Sequence, residues 1–412
     1  MNKIKSLLLF SAAAVFALTS CEKEVIKEVP KDTNKVTKSG LITADETWTS
    51  DKVYVLNGRV TVAGGATLTI QPGTVIKANP GAGAFASALL ISREGKIMAN
   101  GTVNAPIIFT TVADETESGD FASPNLSPEN NGLWGGLIIL GKAPIAASSA
   151  SVQIEGIPTS DQNGLYGGTE PTHSSGELSY VSIRHGGANI GAGNEINGLT
   201  LGGVGSGTKI SNIEVVANQD DGIEWFGGTV SVTNVMIWNC ADDGLDTDQD
   251  WVGTCDNFVI VTPRGGSAFE LDGPEGGKSA TGTHLFTNGT VYAGSDIFSL
   301  IDWDGGTNAA VQNVYFFGLD ANYGYIADDP ATTEVDEKLE PFASFGGDMS
   351  GTTSGIEVKL PTGRTLADLF APGATIPSAV TAVTTNTVGA DASMFGWTWA
   401  AKSGALSQVG VQ

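Results

Sequence analysis

The chain has 412 residues, with 45 acids against 21 Lys plus Arg, a formal charge of −24 and 55 Gly. At 41% hydrophobic residues it can build a packed core, so wholesale disorder is excluded, and its glycines lack the strict three-residue period of collagen. So large an acidic excess excludes nucleic acid and anionic membrane surfaces as electrostatic partners.

Lys3 and Lys5 open the chain, and Leu7 to Leu18 form an apolar run too short to span a bilayer comfortably. This is a secretory pattern over residues 1–20. Leu18-Thr19-Ser20-Cys21 resembles the bacterial lipobox. That resemblance implies cleavage before Cys21, lipidation of its thiol and new amino group, and a membrane anchor through the buried acyl chains. Cleavage removes two lysines and no acid, which deepens the negative charge. From Glu22-Lys23-Glu24 to about Glu46 the chain is charged and without apolar periodicity, so residues 21–47 are expected to form a flexible tether. Acids just behind the lipidated Cys are similar to the signal that sends lipoproteins of Bacteroidota to the outer cell surface.

From Trp48 the sequence consists of short β-branched or apolar runs, such as Thr67-Leu68-Thr69-Ile70 and Leu137-Ile138-Ile139, each ended by Gly, Pro or Asn. A repeat then appears. Asn212-Ile213-Glu214-Val215 aligns with Asn234-Val235-Met236-Ile237, Asn257-Phe258-Val259-Ile260, Asn288-Gly289-Thr290-Val291 and Asn313-Val314-Tyr315-Phe316, at steps of 22, 23, 31 and 25 residues. Strands this short cannot bury a core within one repeat, whereas stacked coils can, with successive strands pairing in parallel about 4.8 Å apart. An up-and-down barrel or sandwich would carry hairpin signals at shorter spacing. Residues 48–318 are therefore expected to form an all-β, right-handed parallel β-helix. The repeat fades after Phe317, and residues 319–412 are expected to be a loop-rich region packing on or capping the stack, with Phe395-Gly396-Trp397-Thr398-Trp399 as its apolar plug.

Taken together, Gly65 to Thr74, Leu133 to Gly141, Glu195 to Gly203, Asp220 to Gly228 and Phe395 to Trp399 resemble the parallel β-helical surface lipoproteins of Bacteroidota, a group without an established reaction. The resemblance covers nearly the whole mature chain. It implies an outer-membrane, outward-facing location, and a glycan or a neighbouring outer-membrane transporter as partner.

The richest constellation is acidic. Residues 220–272 hold eleven acids and one base, Arg264. Registered on the repeat asparagines, Asp221 coincides with Asp243, Glu224 with Asp246, and Glu270 falls one position further on. Carboxylates stacked at strand spacing repel and raise one another's pKa, so the row is either solvated or neutralised by a cation. Calcium suits a carboxylate-rich exported site, and its candidate ligands are Asp221, Glu224, Asp242, Asp243, Asp246, Asp248 and Asp250. Asp246-x-Asp248-x-Asp250 starts like an EF-hand loop, but the next glycine is missing and Asn257 stands where the closing Glu belongs, so an EF-hand is rejected.

Trp225, Trp251 and Trp303 each follow an acid. An acid beside an indole is what a sugar site uses, and the same Trp can instead pack against the next coil. With Cys21 lipidated, Cys240 and Cys255 remain, either as a disulfide or as two buried thiols. Many parallel β-helices are polysaccharide lyases or hydrolases, and Arg184, His185 and Arg264 are the candidate bases here. The paired aspartates, however, open glycine turns in successive repeats, and no nucleophile elbow or zinc spacing is present. The reading that follows is a non-catalytic binding or structural accessory. A calcium-dependent lyase or hydrolase and an adhesin are the alternatives.

Overall fold

A computed structural model of the protein describes residues 34–189, 196–261, 266–295, 297–326, 341–343 and 353–411. Among the described residues the short alternating runs become 23 strands of one continuous sheet, wound into a right-handed parallel β-helix. Each coil visits three faces. The first face carries Glu46–Trp48, Thr67–Ile70, Lys96–Asn100 and the opening halves of the long strands Gly176–Arg184, Lys209–Val216, Val232–Trp238, Thr254–Val261, His284–Tyr292 and Ala309–Phe317. The second face carries the closing halves of those strands, with Val75–Ala78 and Ile107–Thr111 before them and Ser354–Val358 and Val380–Ala382 after. The third face stacks Leu89–Ile91, Leu137–Leu140, Leu199–Gly202, Ile223–Phe226, Leu245–Asp248, Phe269–Leu271, Ile301–Trp303 and Phe342–Ala343.

The repeat asparagines make the corner between the first two faces. Asn212, Asn234, Asn257, Asn288 and Asn313 all have φ between 54° and 59°. This left-handed conformation breaks the strand without ending its ladder, and Asn tolerates it better than other residues with a Cβ. The side chains then bond along the stack: Asn234 Nδ2 donates to Asn212 Oδ1 at 3.1 Å, Asn257 to Asn234 at 2.7 Å, and Asn313 to Asn288 at 3.3 Å. Asn257→Ala should cost about 1–2 kcal/mol, from left-handed strain plus lost hydrogen bonds. Asn257→Gly should lose less, because Gly accepts that conformation freely. Urea midpoints decide this: an Ala variant as stable as the Gly variant would mean the corner carries no strain.

Inside the coil the core is continuous. Leu199, Leu201, Ile223, Trp225, Leu245, Phe269, Leu271 and Ile301 are fully buried from the third face alone, each contributing roughly 1.5–3 kcal/mol of transfer free energy.

Three boundaries differ from the sequence expectation. The tether expected over residues 21–47 does not extend to its end: Lys35–Ile42 and Glu46–Trp48 are strands of the first coil, paired in parallel with Val53–Val62 and Thr67–Ile70. Only Ile42 is fully buried in Lys35–Ile42, so its charged, exposed face hid the strand. At the other end the stack does not stop at residue 318. Ser354–Val358 and Val380–Ala382 extend the second face. Finally, Phe395 to Trp399 do not plug the end of the stack. They lie along its flank, where Phe395, Ala400 and Leu406 cover Met236, Val259 and Val261, and Trp399 covers Val216 and Ala217. The second face is apolar on its outer side at those positions, and the C-terminal segment buries it.

Candidate functional site

The outer side of the third face changes character along the stack. One column of aligned outward residues runs Leu90, Ile138, Thr200, Glu224, Asp246, Glu270, Asp302. Its apolar start lies under an insertion whose hairpin, Val152–Gln153 with Leu165–Tyr166, packs Ile154, Ile157 and Tyr166 against Leu90, Ile138, Leu140 and Phe226. Beyond Thr200 the column is a ladder of four carboxylates at strand spacing, about 4.8 Å apart.

A second column stands at the turn into this face. Asn197, Asp221, Asp243 and Ser267 each precede the strand by two residues. Asp221 Oδ1 accepts from the Asp243 N–H at 2.9 Å, and Asp243 Oδ1 accepts from the Ser267 N–H. Each carboxylate thus ties its coil to the next.

Where the two columns meet, Asp221, Glu224 and Asp246 bring carboxylate oxygens within 4.8 Å of one another. All three are buried, at 6%, 6% and 8% exposure. Burial, and then the neighbouring carboxylates, push each carboxyl well above its ordinary pKa. Glu224 and Asp246 are hydrogen-bonded to each other, which needs a shared proton when no cation is present. Asp243 and Glu270 pair in the same way. Asp246 Oδ1 nevertheless has no partner, and neither does Oδ1 of Asn197, whose amide donates to Glu224 Oε2 and to Glu155 Oε1. A buried oxygen without a donor is costly, about 1–3 kcal/mol, and two such oxygens border this trio. An all-oxygen, anionic donor set with unmet acceptors fits a hard divalent cation.

The other expected ligands divide. Asp220, Asp221 and Asp242 form a second, shallower trio. Asp248 is half-buried, one position beyond Asp246 on the same side, and burial beside Glu275 and Asp272 pushes it up to about 8. Burial and Glu270 push Asp272 up to about 7. Asp250 faces elsewhere: its Oδ2 accepts from Thr281 N and Oγ1, both at 2.7 Å, holding the loop that follows.

Two expectations fail in the structure. Trp225, Trp251 and Trp303 are not ligand-binding surfaces. They are 0%, 0% and 1% exposed, and Trp225 stacks on Trp251 inside the coil at 4.6 Å. In a strand successive side chains point to opposite sides, so the acid before Trp225 or Trp303 faces out and the indole faces in. Cys240 and Cys255 form no disulfide; both are free and buried. Cys255 aligns with Val232 on the first face, whereas Cys240 follows the end of that strand, past the corner at Asn234 and the length of the second face. A disulfide needs Cα atoms within about 7 Å. Burial pushes the Cys240 thiol up to about 12, so it is no nucleophile.

The candidate bases are equally withdrawn. Arg184 is 1% exposed and His185 0%, both beneath Trp399, while Arg264 lies outside the described residues, as does Cys21. Sequence reasoning missed Asn197 and Glu155. Asn197 had a signal: Asn197-Gly198-Leu199 aligns with Asp221-Gly222-Ile223 and Asp243-Gly244-Leu245, an Asn in an aspartate column. Glu155 arrives from the insertion and has no repeat to mark it. The family described as a pectate-lyase like beta helix domain matches residues 40–337. No curated protein and no solved structure is significantly similar to the chain.

Proposed function

The chain belongs to the pectate-lyase like beta helix domain family, and we propose that within this fold it is a calcium-loaded, non-catalytic carbohydrate-binding protein of the cell surface. One observation carries the reading: the buried trio Asp221, Glu224 and Asp246, with Asp246 Oδ1 unpartnered. Calcium held there would neutralise the ladder, and the half-buried Asp248 and Asp272 would extend the site towards solvent, where hydroxyl or carboxylate oxygens of a sugar complete the coordination. The withdrawal of Arg184 and His185 beneath Trp399 supports binding over cleavage. The family match favours a second reading, a calcium-dependent polysaccharide lyase or hydrolase.

The location belongs to the same proposal. Cys21 would carry the lipid and anchor the helix to the outer face of the outer membrane, as the resemblance to surface lipoproteins of Bacteroidota implies. Labelled fatty acid incorporated by the wild type and not by Cys21→Ser would support it; equal labelling would overturn it.

The test of the site is calcium titration followed by thermal unfolding. At calcium a hundredfold above Kd the melting temperature should rise by roughly 3 °C. Magnesium should do less, since it demands tighter octahedral geometry. Glu224→Gln with Asp246→Asn should abolish the rise, and no rise in the wild type would sink the metal site. Incubation with acidic and neutral polysaccharides separates the two readings. Retention without new reducing ends or unsaturated uronates supports binding, and product release establishes the enzyme.

A further inference from the structure

The insertion that covers the apolar start of the third face also reaches its acidic part, through Glu155. Ile154 and Ile157, at 1% and 5% exposure, seat this segment on the sheet, and Gly156 between them turns the chain at φ 71°. The insertion is tied to the coil that carries the row: Tyr166 Oη donates to Gln249 Oε1 at 2.9 Å, and Ala146 N donates to the Gln249 carbonyl at 2.8 Å. It is also tied to an early coil, where Arg59 Nη2 stands 2.8 Å from Asp161 Oδ2. Glu155 is thus presented from a braced segment, which lowers the ordering cost of any contact it makes.

What Glu155 meets is the amide of Asn197. Asn197 Nδ2 donates to Glu155 Oε1 at 3.2 Å and to Glu224 Oε2, so one nitrogen holds two carboxylates together. After burial, Glu155 is the acid that does most to raise Glu224. This departs from the rest of the column. Asp221 and Asp243 each accept from the backbone N–H one coil on, at Asp243 and Ser267. Asn197 makes no such bond: it is 0% exposed and its Oδ1 has no partner. Reversing the amide would not help, because its oxygen would then face two carboxylates. Two carboxylates gathered at the cost of a buried, unmet acceptor are unfavourable for the protein alone. A cation between them offsets that cost, and calcium takes about six to eight oxygens, more than the trio supplies at one oxygen each.

We infer that Glu155 is a further ligand of the cation site, delivered by the insertion, and that Asn197 holds its place until the cation binds. The inference rests on the cation site proposed above and adds a regulation to it. The other ligands stand on the stack and Glu155 stands on the insertion, so loading fastens the insertion to the acidic row. By linkage, whatever orders the insertion tightens the cation.

Calcium calorimetry and backbone hydrogen exchange on the full chain test it, with Glu155→Gln as the variant. Glu155 is half-buried and Gln has its shape, so the fold is kept. The variant should bind calcium about tenfold more weakly, on the order of one charged contact. Calcium should slow exchange across residues 152–166 in the wild type and not in Glu155→Gln at saturating calcium. In EDTA the variant should melt no lower than the wild type, since it loses a charge beside Glu224. A lower melting temperature in EDTA would make Glu155 a brace of the hairpin and overturn the inference. Equal calcium affinity in the two proteins, with exchange over 152–166 insensitive to calcium, overturns it too and leaves the trio as the whole site. No calcium binding by the wild type overturns the cation site itself, and this inference with it.

Discussion

Replacing Arg184 with Ala will remove about 3–5 kcal/mol of stability, the usual result of stranding one partner of a buried ion pair. Glu214, at 0% exposure, is the group left stranded. Arg184 Nη2 stands 3.8 Å from Glu214 Oε2, which also accepts from Ser182 Oγ at 2.6 Å. The guanidinium is held on its other sides by Ser182 Oγ at 2.8 Å, the Phe121 carbonyl at 2.6 Å and the Trp399 ring at 5.0 Å. Glu214 Oε1 accepts from the Ala400 N–H at 3.1 Å. One ion pair thus ties the strand to the C-terminal segment that covers it.

Two readouts separate this from a catalytic role. The double variant Arg184→Met with Glu214→Met should lose less than Arg184→Ala alone, because it leaves no unpaired charge behind. Proteolysis of the single variant should begin within residues 390–411, whose anchor at Ala400 is loosened. A single variant within about 1 kcal/mol of the wild type would show that the pair is not desolvated as its burial states. A stable Arg184→Ala protein that had lost polysaccharide cleavage would instead make Arg184 a base.

What the residues disclosed before folding follows from periodicity. The β-helix was legible because one Asn per coil takes a conformation that few other residues accept, and five of them recur at coil spacing. The acidic row was legible for the same reason, since stacking turns equal repeat positions into neighbours. The tryptophans misled because adjacency in sequence was read as adjacency in space, whereas in a strand it means opposite sides of the sheet. Glu224 faces out for the same reason that Trp225 faces in. The cysteines could not be paired or unpaired without the register that sets Cys255 against Val232.

In a chelator the protein should lose stability steadily as pH rises from about 5 to about 9, and calcium should flatten that loss. The sign follows from the direction of the shifts. Burial, reinforced by neighbouring acids, raises Asp221, Glu224, Asp243 and Asp246 well above their ordinary range, and pushes Asp272 up to about 7 and Asp248 up to about 8. Below about pH 4 these carboxyls are protonated in both folded and unfolded chains and affect stability little. Between that value and their folded pKa the unfolded chain ionises while the folded chain still holds its protons, so the unfolded state is progressively favoured. The cost is complete only once pH exceeds the folded values, which for Asp272 and Asp248 means above about 8. Calcium binds the ionised carboxylates and replaces the shared protons, so its stabilisation should be largest at the alkaline end and vanish near pH 5. Melting temperatures in EDTA and in calcium across that range decide the matter, with Glu224→Gln and Asp246→Asn as the control that should make the EDTA curve shallower. A flat wild-type profile in EDTA would show that the row is not buried in solution. A falling profile that calcium leaves unchanged would mean the row holds protons and no metal ion.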